Sequence, residues 1–164
     1  MPDRRRIRGP PGMEMNWIYA GLALVAGALL PLQALINARL AHSTTGGLFA
    51  SACSFLVGTL GLALMLLLTR QALPSLDTVA RLPPWIWLGG VFGAGFVVVA
   101  TLAIPRIGAS SLVALVVLGQ MAASLALDHF GVLQQPKPVD LARILGALLI
   151  IGGVLLVLQP WKAR

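Results

Sequence analysis

The chain has 164 residues, of which 58% are hydrophobic and 10% charged, and its mean hydropathy is +0.90. Soluble domains carry about a quarter charged residues, so this composition excludes a soluble globular protein and leaves lipid as the solvent. The net charge of +7 does not point to a nucleic-acid partner, because the basic residues are scattered at the ends of apolar runs and form no single face.

In chain order, residues 1–14 are rich in Arg and Pro and predict a disordered basic tail. Met13 and Met15 are alternative starts, and Glu14 falls at the membrane interface just before Trp17. The apolar run that follows is too long for a signal-peptide core, and no small-residue cleavage site comes after it. It reads as an anchored first helix. Residues 15–164 then predict one domain, an all-α integral membrane bundle of five transmembrane helices at about 17–38, 48–69, 85–104, 108–127 and 141–158. A hydrocarbon core of ~30 Å needs about 20 apolar residues in a helix. The first four runs reach that length without a charge. The fifth is close to it and holds only Arg143, near enough to one end to snorkel.

The connections are short. HSTTGG (42–47) joins spans one and two, and RQALPSLDTVARLPP (70–84) joins two and three. PRIG (105–108) predicts a tight hairpin in which Pro105 ends span three and Gly108 starts span four close by; DHFGVLQQPKPVD (128–140) leads into span five. No loop can hold a soluble catalytic domain. Trp17, Trp85, Trp87 and Trp161 stand at span ends, where an interfacial aromatic belt belongs. The single Cys53 lies inside span two and reads as a small packing residue.

Small residues recur along the spans: Ala20, Ala23, Gly27, Pro31, Ala34 and Ala38 in the first, Ser51, Ser54, Gly58 and Gly61 in the second, Gly89 and Gly93 in the third. Membrane helices associate through close backbone approach, so these predict tight packing. Charge sets orientation. Arg70, Arg81, Lys137 and Arg143 share the side of the N-terminus, against Arg39, Arg106, Lys162 and Arg164 opposite. The tail adds Arg4, Arg5, Arg6 and Arg8 and predicts the N-terminus inside; a chain starting at Met13 or Met15 has no bias and is expected to insert both ways.

PLQALINARL (31–40), WIWLGGVFGA (85–94), IPRIGAS (104–110) and GQMAASLALDHFG (119–131), set on five spans, resemble the YdcZ-like family of bacterial inner-membrane proteins, within the drug/metabolite transporter superfamily. The resemblance covers residues 15–161. It implies half of a ten-helix transporter fold, in which two five-helix halves lie in inverted topology and spans one, three and four line the pathway. A lone half then needs an oppositely oriented partner, either a second copy or a paralogous five-helix protein. The Gly146 and Gly153 spacing in GALLIIGG is similar to the last-helix dimer spacing of small multidrug resistance transporters and marks those two as interface candidates. The coupling glutamate that those transporters carry mid-membrane in helix one has no counterpart here.

The polar residues within the spans are the site candidates. Gln33 and Asn37 are four apart, on one face of span one, and Gln120 lies deep in span four. Burying an amide unpaired costs a few kcal/mol, so each must bond another helix, water or substrate. Interhelical bonding and a substrate cavity both fit. Gln120 is expected to face spans one and three. Asp128 and His129 close span four at the membrane boundary. An acid at a helix C-terminus meets the negative end of the dipole, so Asp128 needs compensation from His129, Lys137, Arg143 or a turn at Gly131; the pair reads as a structural cap, or as a gate or proton site. His42 and His129 are far apart, no two carboxylates pair within a span, and GGVFGAG lies inside a span instead of after a soluble strand. The sequence therefore predicts no metal, no cofactor and no enzyme. It predicts a half-size secondary transporter subunit of the bacterial inner membrane, moving a small metabolite or xenobiotic by alternating access as an inverted dimer. The alternative is a non-transporting scaffold or regulatory subunit.

Overall fold

The structure, a computed structural model, describes residues 17–132, 136 and 139–162. The tail at 1–14, Met15, Lys137 and Arg164 lie outside them. The described residues form helices α1 (Trp17–Ser43), α2 (Gly47–Thr69), the short α3 (Leu76–Ala80), α4 (Leu88–Ile107), α5 (Ala109–Phe130) and α6 (Leu141–Leu158). Single 3₁₀ turns at Pro84–Trp87 and Pro160–Lys162 extend the third and fifth spans. Five helices, α1, α2, α4, α5 and α6, are long and apolar enough to cross a membrane.

Helix ends differ from the sequence expectation where turn chemistry decides them. α1 has 27 residues and runs five past 38, because only Gly46, at φ 120°, breaks the backbone. Pro105 does not end α4. It sits in the last turn, where a missing N–H costs a single bond, and Arg106 and Ile107 continue the helix. Gly108, at φ 79°, ends it, its N–H donating to the Ile104 carbonyl at 3.0 Å. The connection at 70–84 also folds locally: Ser75 caps α3 by accepting from the Thr78 N–H at 3.2 Å.

α1, α2 and α4 pack on one another, α5 packs on α4, and α6 docks on α5. The buried residues fall in one half of the bundle. They are Ala34 and Asn37 on α1, Gly47, Ala50 and Ser51 on α2, Val97, Ala100, Thr101 and Ile104 on α4, Leu112 on α5 and Val154 on α6. All lie toward the end where α1 turns into α2 and α4 into α5. Close approach is what the small residues supply there. A Cβ on Gly47 would stand 2.6 Å from Leu102 Cδ2 and 3.6 Å from Thr101 Cγ2. Toward the other end the side chains are bare: residues 21–30, 55–69 and 88–92 are exposed all round. Several of the predicted packing glycines belong to this bare half. Gly27, Gly58, Gly61 and Gly89 have no neighbour within 4 Å of an added Cβ, and Gly93 meets only the ring of Phe55, at 3.7 Å.

Candidate functional site

Where the packing stops, a cavity of about 100 Å³ lies between α1, α4 and α5. Ala34, Ala100 and Leu112 form its floor, on the packed side. Gly27 and Gln120 mark its other end, each near the midpoint of its helix. Phe96 and Val116 supply the walls between. Two sequence features produce this hollow. Gly27 leaves open the space that a side chain would fill. Pro31, also in the wall, has no N–H, so the Gly27 carbonyl lacks its helical donor.

The structure places the polar candidates around this hollow in different roles. Gln120 lines the cavity together with α1 and α4 residues and makes no side-chain hydrogen bond with the described residues. Gln33 is half-buried; its Nε2 donates to Ser54 Oγ at 3.3 Å and so links α1 to α2. Asn37 is 3% exposed, and its Nδ2 has no partner among the described residues. It shares with Gln33, Phe96 and Ala100 a void of about 10 Å³ beside the main cavity. Thr101, 1% exposed, also has an unpartnered hydroxyl. Ser54 was read in the sequence only as a small packing residue, and Phe96 and Thr101 were not singled out. Nothing in an apolar run such as VVVATLAIP says which of its faces turns inward.

At the bare end, Asp128 and Arg143 meet. Arg143 Nη1 donates to Asp128 Oδ2 at 3.4 Å, with side chains 32% and 27% exposed respectively. Each residue alone is at the wrong end of a helix dipole, the acid at the C-terminus of α5 and the cation in the first turn of α6. Their pairing offsets both and fastens α6 to α5. Asp140 adds to this: it caps α6 by accepting from the Arg143 N–H at 2.8 Å. His129 is exposed and packs its ring edge-on to Phe130, with centroids 5.2 Å apart. Gly131, at φ 64°, ends α5, and its N–H donates to the Asp128 carbonyl at 3.3 Å.

On α6, which packs on α5, the less exposed residues are Arg143, Gly146, Ala147, Ile150, Val154 and Leu158. Neither Gly146 nor Gly153 has a neighbour among the described residues within 4 Å of an added Cβ. Among the described residues no three His, Cys, Asp or Glu side chains gather as metal ligands would.

Residues 18–156 match the family described as "Putative inner membrane exporter, YdcZ". The chain belongs to the YdcZ family. It is a multi-pass protein of the inner membrane, its exposed Leu, Val, Ile and Phe side chains facing lipid along five spanning helices. No curated protein and no solved structure matches it.

Proposed function

We propose that the chain is one half of a secondary transporter. Two halves of opposite orientation rock about a shared central cavity and carry a small metabolite or xenobiotic across the inner membrane. The observation that carries this reading is the asymmetry of the bundle: packed at one end, bare at the other, with a cavity where the packing stops. One such half obstructs a pathway at a single membrane face. An inverted second half brings its packed end to the opposite face and covers exposed helix surface of the first. Gln120, Gln33 and Asn37 serve as cavity residues, and Gly146 and Gly153 admit close approach of the second half. The Asp128–Arg143 pair, with His129 beside it, acts as a gate tie at the bare end. No enzymatic step enters the reading.

The partner is a second copy where the chain inserts both ways, and a paralogous five-helix protein where the arginine tail holds the N-terminus inside. Reporter fusions at the C-terminus separate the two. Signal from both membrane sides is expected for a version starting at Met15, and from the side opposite the N-terminus for the version starting at Met1. One orientation for both versions would exclude the antiparallel homodimer. Substrate flux in proteoliposomes tests transport itself; a folded dimer that moves no member of a broad solute panel is a scaffold or regulatory subunit instead.

A further inference from the structure

The wall of the cavity between α1, α4 and α5 restricts the chemistry of what it can hold. Among the described residues, Gln120 is its single polar side chain; every other lining residue is aliphatic, aromatic, Gly or Pro, and no charged or imidazole group lines it. In the spanning helices Arg39, His42, Arg106, Asp128, His129 and Arg143 all stand near helix ends. An ion placed against this wall would leave water with no countercharge, at a cost of several kcal/mol. A neutral solute avoids that cost. The wall still offers it two hydrogen-bonding groups. One is the Gln120 amide, without a side-chain partner among the described residues. The other is the Gly27 carbonyl, released by Pro31.

We infer that this cavity binds an uncharged, mostly apolar solute of single-ring size, whose one polar group pairs with Gln120 and the Gly27 carbonyl, and that it rejects organic cations and anions of the same shape. The inference rests on reading the cavity as part of the transport pathway. It adds to that reading the substrate class. The size follows from the volume: a cavity of roughly 150 Å³ lined by aliphatic and aromatic side chains holds benzene, and this one is of the same order, about 100 Å³, with the exposed Gln120 in its wall.

Three probes of one shape test it: benzamide (neutral), benzylammonium (cation) and benzoate (anion). Binding to the full chain in lipid nanodiscs is followed by ligand-observed NMR, with empty nanodiscs subtracted. Saturable benzamide binding is expected, with both ions at least about tenfold weaker, a gap of about 1.4 kcal/mol. Gly27→Leu should abolish it. The new side chain has room in the backbone's surroundings and favours helix over Gly, so the fold survives while the hollow fills. Gln120→Leu, which keeps the size and removes the amide, should weaken benzamide about fivefold, the worth of one hydrogen bond. Ions that bind as tightly as benzamide would overturn the inference, as would full binding in Gly27→Leu. Absence of saturable binding, as when acyl chains fill the hollow, overturns it too. Benzamide bound as expected but never carried across a proteoliposome membrane would uphold the cavity chemistry and contradict the transporter reading.

Discussion

The two ends of this bundle are made from similar residues and behave differently. At the packed end Gly47, Ala50, Ser51, Ala100 and Thr101 let α2 and α4 approach closely, and Ala34, Ile104 and Leu112 complete a small core. At the bare end Gly58, Gly61 and Gly89 are just as small, yet among the described residues nothing lies within 4 Å of an added Cβ there. In lipid, an apolar side chain gains little by turning to another helix, so association depends on close backbone contact and hydrogen bonding. Small residues create the possibility of contact, and a partner must realise it. The difference teaches that packing potential here exceeds what one chain uses: in α1, α2 and α4 the unused glycines lie toward the bare end, and on α6 Gly146 and Gly153 add to them.

Matched substitutions can break that comparison. The largest effect is expected from Ala100→Leu, which forces an added isobutyl group into a residue only 3% exposed. Overpacking should cost about 1–3 kcal/mol. Gly61→Leu, at the bare end, should change the stability of the isolated chain by less than about 0.5 kcal/mol. Reversible unfolding in mixed micelles reads both, and equal losses at the two sites would show that the bare end is packed in solution.

Gly131→Ala comes next. The residue needs a left-handed backbone, and a Cβ there would stand 2.9 Å from the Pro136 nitrogen. A loss of about 1–2 kcal/mol is expected, confined to the α5–α6 connection. Hydrogen exchange should show faster exchange in α6 than in α2 if α6 depends on this turn. Unchanged exchange in α6 would mean that its docking on α5 suffices. A double-mutant cycle on Asp128→Asn and Arg143→Gln should give a smaller coupling, about 0.5–1 kcal/mol, as a partly exposed ion pair does. Zero coupling would remove the pair from the forces that hold α6.

The smallest expected change in stability belongs to Asn37→Leu. Its amide nitrogen is buried without a partner among the described residues, and removing an unsatisfied group of this kind is nearly neutral or stabilising. Stability should hold while flux falls if the amide serves the pathway. A clear loss of stability would show that Asn37 holds helices together.

The spans themselves were legible in the sequence because their signal is length without charge, which needs no knowledge of neighbours. Helix ends were less so. Pro105 is a helix breaker on average, but its position within the last turn made its cost small, and Gly108 set the boundary. The small-residue ladder showed which face of a helix could pack but not what would meet it, so the buried Ser51 and the bare Gly61 looked alike. The cost of burying an amide asked for a partner or a cavity at each span amide, yet could not tell that Gln33 would be linked to Ser54, that Asn37 would be left unpaired among the described residues, or that Gln120 would stand exposed in a cavity wall. Likewise the dipole argument required a partner for Asp128 and named several; among the described residues, the fold of the α5–α6 connection brings Arg143 to it.

The central claim is that the bare end opens and closes against an inverted partner, and a distance measured inside one protomer tests it most directly. Leu24 on α1 and Leu67 on α2 lie at similar distances along the chain from the α1–α2 connection, toward the bare end, and are 77% and 76% exposed, so spin labels at both are tolerated. On a Cys53→Ser background, in liposomes, with each doubly labelled chain diluted among unlabelled copies, pulsed electron resonance should record two separations. One is that of the present open arrangement and the other is shorter, and their proportions should shift when a transported solute is added. A single separation that no solute alters would contradict alternating access by this protein.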